Sequence, residues 1–216
     1  MAAKDLIEEI AAKGSDKEAI AYRLIARKSD LSVLIEGMKA KPVNVKFGCE
    51  KVLRIISQKR PERVYPHFLQ IAEFLDSENK ILTWGAILIL ANLAVVDRKH
   101  HFVSFFDRYY RPILGPDMIA AANVIGGSVK IARAYPHLVE RIKTEILKVQ
   151  KAKYKTPECR NVAIGHAIDS LEGFYDLIED KRSVALFIKK QISNPRRTVA
   201  AKAAQFMRRP DVVAVL

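Results

Sequence analysis

Cysteine is scarce in this chain, with Cys49 and Cys159 the only two in 216 residues, and both stand in apolar, helix-like stretches. That excludes a disulfide framework and a Cys-rich metal site, and it fits a reducing, cytoplasmic setting. Glycine and proline number nine each, too few for a disordered or fibrous chain. Aromatics are 8% of the residues, with a single tryptophan, and alternating Val/Thr/Tyr runs are missing, so nothing reads as a half-buried strand. Long hydrophobic runs are missing too. The greasiest stretch, ILTWGAILILANLAVV from Ile81 to Val96, contains Thr83 and Asn92 and is flanked by Lys80 and Asp97. A membrane span needs about 20 apolar residues, so this run reads instead as a helix buried on most sides. The opening MAAKDLIEEIAAKGSDKE has acids and no long apolar core, which predicts no secretory signal.

What the chain does contain is Ala, Ile, Leu, Lys and Arg. Half of the residues are hydrophobic and 28% are charged, the balance of a soluble, core-forming, helical protein. The formal charge of +13 and pI near 9.8 would draw a polyanion or an acidic protein surface.

Prolines and capping residues set a rhythm. Pro42, Pro116, Pro157 and Pro195 each precede an apolar helical stretch, and Ser77 to Asn79 fill the remaining slot, so starts fall near 42, 79, 116, 157 and 195. Steps of about 40 residues signal a solenoid or array. Thr156-Pro157 and Asn194-Pro195 are the clearest starts, with an N-capping oxygen ahead of a proline. Within each period two helices follow one another, as in FGCEKVLRII then YPHFLQIAEFL, and MIAAANVIGGSVKIA then YPHLVERIKTEIL. The first of each pair carries small residues (Gly48 with Cys49, Gly85 with Ala86, Gly126 with Gly127, Ala163 with Gly165), as close helix packing requires. Tyr65-Pro66-His67 and Tyr135-Pro136-His137 are expected to open the second helix in equivalent slots, because proline is tolerated in a first turn. All nine prolines are placed at helix ends or first turns, and Ser15 with Glu18 is expected to cap a helix through Ile25. One domain, 1–216, is expected: an irregular unit 1–41, repeats 42–76, 77–115, 116–155 and 156–194, and a capping helix in 195–216.

Two antiparallel helices per period resemble the HEAT and armadillo repeat superfamily, most plainly in PERVYPHFLQIAEFLDSENKILTWGAILILANL, where a Leu-Asp turn joins a second helix to the next first helix. The resemblance implies an all-α, right-handed α-α superhelix of about five hairpins, with second helices lining a concave face. The candidates on that face are Arg63, His67, Gln70, His101, Arg108, His137 and Arg141.

Catalytic patterns are missing from the sequence. The five histidines, His67, His100, His101, His137 and His166, make no HExxH or other metal spacing, so no metal or cofactor is expected. Among HEAT-repeat enzymes, deoxyhypusine hydroxylases bind iron through recurring His-Glu pairs, and this chain has no His-Glu dipeptide. The HEAT-like alkylpurine DNA glycosylases are basic chains of similar length that use Trp residues beside a catalytic Asp. Here the one tryptophan, Trp84, lies among apolar neighbours, and neither Asp97 nor Asp107 is equipped as a catalytic carboxylate. No nucleophile elbow or P-loop occurs either.

The C-terminal charge pattern is the most suggestive feature. Lys181 to Arg209 holds nine cations and no acid. Arg196 and Arg197 lie at a helix start, against the dipole, so Lys189, Lys190, Arg196, Arg197, Lys202, Arg208 and Arg209 are candidates for an acidic or nucleic-acid partner. A solvated end cap is the competing reading, with Glu172, Asp176, Glu179 and Asp180 offsetting part of the charge. The expected function is a non-catalytic scaffold that grips a protein partner, an acidic surface, on its concave face. The alternative is binding of a nucleic-acid backbone, with glycosylase chemistry as a remote extension.

Overall fold

A computed structural model describes residues 3–216, and among these every regular element is helical. The α-helices are α1 (Ala3–Ala11), α2 (Lys17–Ala26), α3 (Ser32–Met38), α4 (Val43–Lys59), α5 (Pro61–Val64), α6 (Phe68–Glu73) and α7 (Lys80–Leu93). They continue as α8 (His101–Tyr110), α9 (Met118–Ala134), α10 (Val139–Leu147), α11 (Pro157–Gly173), α12 (Lys181–Gln191), α13 (Arg197–Phe206) and α14 (Pro210–Val213). Short 3₁₀ turns extend or join several of them. The chain divides into two compact units, Met1–Phe106 and Asp107–Leu216, and α8 runs through the boundary. No helix among the described residues is long and apolar enough to cross a membrane.

The rhythm read from proline and cap residues is present in the helices. N-caps stand at Pro42, Asn79, Asp117, Thr156 and Arg196, so the steps are 37, 38, 39 and 40 residues. Asn79, Asp117 and Thr156 each accept amide protons from the first turn, which relieves donors the helix cannot satisfy itself. Asn194 does not cap α13; it stands two residues ahead of the N-cap Arg196, and its Oδ1 accepts from the Arg196 amide at 2.9 Å. At the other end, Asp16 rather than Ser15 caps α2, taking the Glu18 and Ala19 amides at 2.9 and 3.0 Å. Ser15 Oγ instead turns back to the Ile10 carbonyl.

In the first unit α4 is the hub, packed by α1, α2, α3 and α7. Small residues make this approach feasible. A Cβ on Gly48 would stand 2.5 Å from Ile10 Cγ2, and one on Gly85 would stand 2.5 Å from the Glu50 carboxylate. Glu50 is itself buried, its carboxyl pKa raised by loss of solvent and partly restored by Arg54 at 2.8 Å. Cys49 is fully buried against Gly37, and burial pushes its thiol up to about 11, so it is a core residue. In the second unit α9, α11 and α13 stack in a row, with α10 and α12 on their flank. Gly126, by contrast, faces open space; its expected role in close packing is not observed.

The Tyr-Pro-His triplets occupy different slots. Tyr135 ends α9 at φ −129°, ψ 74° and Pro136 starts the following turn. The residue in that position after α4 is Arg60, at φ −145°, ψ 68°, followed by Pro61. Tyr65-Pro66-His67 lies one turn further on, as a 3₁₀ turn between α5 and α6. Proline at the first helical position needs only its fixed φ and missing donor, and Pro61 meets that need as well as Pro136. The repetition is therefore of Arg60-Pro61 with Tyr135-Pro136, and the shared triplet is off by five residues.

Candidate functional site

Polar side chains in this fold repeatedly reach one period along the chain. Arg63 donates to the Ser29 carbonyl at 2.7 Å, Asn92 Nδ2 to Ser57 Oγ at 2.9 Å, Ser170 Oγ to the Ile125 carbonyl at 2.7 Å, and Tyr154 OH to the Ile113 carbonyl at 2.7 Å. Each ties a helix or loop to its counterpart in the neighbouring repeat and satisfies a group that burial would otherwise leave costly. Two carboxylates do this at the entry to second helices. Asp97, buried, accepts from the Tyr65 hydroxyl at 2.7 Å and from the His101 and Phe102 amides at 3.0 and 2.7 Å. Asp180 accepts from Lys143 at 2.9 Å and caps α12 through the Ser183 amide at 3.1 Å. Lys143 also donates to Glu140 at 2.6 Å. These bonds, led by that from Lys143, hold the Asp180 carboxyl at about 2. Asp97 thus fastens the start of α8 to the hairpin before it.

The residues expected on the concave face fall into two groups. In the first unit Arg63, Pro66 and His67 border a shallow cavity of about 420 Å³ with Lys28 and Asp30. His67 Nδ1 is 2.8 Å from Gln70 Oε1, and His101 stacks against Tyr65 and Phe68 at 6.0 and 5.5 Å between ring centroids. Arg63 and His67 thus face the preceding repeat at Lys28–Asp30, while His101 packs on the rings of Tyr65 and Phe68. In the second unit Arg108 and Asp107 border a cavity of about 510 Å³ with Tyr110, Arg111, Glu145 and Lys148. Arg141 pairs with Asp107 there, and His137 is exposed with its ring edge-on to Tyr135. The described residues contain no group of His, Cys, Asp and Glu that could hold a metal ion. Trp84 is half-buried on α7.

Sequence reasoning passed over the exposed aliphatics of the second helices: Leu69 on α6, Val103 on α8 and Leu186 on α12. The signal was present, since Leu69 breaks the apolar spacing of FLQIAEFL by falling next to Phe68. Phe68 is buried and touches Phe105 at 6.0 Å between centroids, so Leu69 and Val103 stand on adjacent helices.

The C-terminal cations do not act as one patch. Arg196 pairs with Glu158, Lys202 with Asp169, and Arg209 with Asp211 at 3.0 Å. Arg209 also lies 4.9 Å from the centre of the buried Tyr175 ring, with Lys181 at 5.4 Å, so both cover an aromatic surface. Lys189, Lys190, Arg197 and Arg208 are exposed. Among the described residues none of these four has a carboxylate partner. Of the upstream acids, Asp176 pairs with Arg133 and Asp180 with Lys143, while Glu172 acts on Arg209. Because α12 and α13 form a hairpin, Lys189, Lys190, Arg196 and Arg197 gather at one end. Arg208 and Arg209 lie at the other end, one helix length away, about 16 Å for α12.

No family model and no curated protein matches the chain. Solved structures do. A designed armadillo repeat protein superposes with a TM-score of 0.61 at 16% identity, covering 99% of this chain and 92% of that one. An engineered protein superposes with a TM-score of 0.53 at 12% identity, covering 99% and 89%. At such identities the likeness speaks for the fold alone, and it agrees with the capped helical hairpins of regular step described above. This chain has the all-α fold of HEAT- and armadillo-type helical repeats.

Proposed function

We propose that the protein is a non-catalytic repeat scaffold that binds a protein partner with an acidic surface along the faces of its second helices, the concave side of such folds. The observation that carries this reading is the mixed character of that face in the first unit. There Leu69 on α6 and Val103 on α8 are exposed, and Arg63, His67 and Gln70 line the approach to and the start of α6; apolar anchors among polar groups are what protein interfaces use. The test is capture of partners from source cells by the full chain and by a Leu69→Asp, Val103→Asp variant, with and without nuclease. Both positions are exposed, so the variant keeps its fold and loses a protein partner that survives nuclease. Equal capture by both forms overturns the reading.

A second reading has its own observation. Lys189, Lys190, Arg197 and Arg208 are exposed cations without carboxylate partners, which suits a nucleic-acid phosphate backbone. A nuclease-sensitive complex that weakens steeply with salt and is lost on replacing these four favours it.

A further inference from the structure

The loops that join second helices to first helices in the second unit hold cations that the C-terminal run does not include. After α10 a 3₁₀ turn, Lys148–Lys151, gives way to an extended Ala152 (φ −64°, ψ 141°), and the chain reaches the cap Thr156 in extended conformation. Across this segment burial alternates. Ala152 is buried and Tyr154 is half-buried, pinned by its hydroxyl to the Ile113 carbonyl at 2.7 Å, while Lys151, Lys153 and Lys155 are all exposed. Anchoring every second residue inward sends the three lysines outward together.

This segment is flanked by its counterparts. The 3₁₀ turn Arg111–Leu114 packs on Lys148–Lys151. On the far side Arg196 pairs with Glu158 and Asn194 reaches Asn161 at 3.4 Å, bringing the end of α12 and the start of α13 alongside. Lys189, Lys190 and Arg197 are exposed there. The acids of the edge are spoken for: Glu145 by Lys148, Glu158 by Arg196, and Asp117 by the first turn of α9. Of the formal charge of +13, nine come from the second unit, where 20 Lys and Arg face 11 Asp and Glu.

We infer that this loop edge, with Lys151, Lys153 and Lys155 beside Lys189, Lys190 and Arg197, is a track for the phosphate backbone of nucleic acid. The inference rests on the second reading above and adds to three cations of the C-terminal run three lysines of the loop before α11, while leaving out Arg208. Even fully extended chain advances only about 3.3 Å per residue, so successive exposed lysines stand within about 7 Å of each other. Phosphates of one duplex strand recur every ~3.4 Å of axis while winding around it, so lysines at this spacing are close enough to meet neighbouring phosphates of one backbone. An acidic protein surface is the weaker fit. Protein interfaces are depleted in lysine and rely on aromatic and arginine anchors, whereas the cations here are lysine but for Arg197 and the apolar side chains exposed near them, Leu114, Ile119 and Ile192, are aliphatic. Tyr154 is the one ring among them and its hydroxyl is already bound, so contact is with backbone and carries no sequence preference.

The experiment is a salt titration of the full chain with a labelled random-sequence 24-base-pair DNA duplex, competed by poly-glutamate. Six contacts predict a log–log slope of about −5, since each phosphate contributes about −0.9. Replacing Lys151, Lys153 and Lys155 with Ser, with helicity and melting temperature unchanged, lowers the slope to about −3. If that triple variant binds as wild type while Lys189→Ser, Lys190→Ser, Arg197→Ser loses binding, the track is wrong and the second reading stands. No duplex binding at low salt, or poly-glutamate competing as well as unlabelled duplex, overturns both.

Discussion

Tyr65 donates its hydroxyl to Asp97 at 2.7 Å, and the same carboxylate holds the two amides that begin α8. One buried acid thus fastens a second helix to the start of the next. Replacing Asp97 with Ala removes an N-terminal cap, which alone costs about 1 kcal/mol, and takes the acceptor from the Tyr65 hydroxyl, which keeps only the Lys99 amide. The expected loss is about 2–3 kcal/mol, read as a shift in urea midpoint. Asp97→Asn retains part of the cap and should fall between.

The cluster of Lys143, Glu140 and Asp180 predicts a pH dependence. The Asp180 carboxyl sits at about 2 in the folded chain, below its ordinary value of about 3.9. A depressed acid stabilises the fold above its unfolded value and loses that contribution as pH falls through the folded one. Stability should therefore decline between about pH 4 and 2, and Asp180→Asn should flatten that limb in urea titrations.

Lys143 itself is nearly buried. Breaking a fully buried pair costs about 3–5 kcal/mol, but Glu140 and Asp180 stay 39% and 53% exposed. Lys143→Ala should cost roughly 1–2 kcal/mol, the acids regaining water. A loss above 4 kcal/mol would contradict this picture.

Gly126 and Gly48 should respond in opposite directions to alanine. Gly126 meets open space on a long helix, so Gly126→Ala should stabilise by about 0.5–1 kcal/mol. At Gly48 the new methyl meets Ile10 at 2.5 Å, and the variant should lose about 1–3 kcal/mol. Thermal melts of the two single variants check both signs.

Contacts within the chain gather into two compact units, 1–106 and 107–216. Calorimetry of the full chain reads how many cooperative transitions these contacts make. Two resolved transitions would show the units melting separately.

Much of the helical order was legible because it depends on local chemistry. Asn79 and Thr156 cap where their oxygens precede a helix, and Pro61, Pro136 and Pro157 sit in first turns. Matching letters misled where the determinant was geometry: Tyr65 and Tyr135 share neighbours in sequence but not a slot. The surface was less legible still. Whether Arg196 or Lys189 is available depends on which acid a neighbouring helix brings, and Glu158 stands 38 residues from Arg196. The outward lysines at 151, 153 and 155 depend on an anchor, Tyr154 to Ile113, that no local pattern announces.

The first helices α4, α9 and α11 are each 17 residues long, and α7 with the 3₁₀ turn that continues it, Lys80–Val96, matches them. The growth of the step from 37 to 40 residues is therefore absorbed by the second helices and loops. Insertions and deletions should therefore be tolerated in the second helices and the loops, while the first helices hold a fixed length.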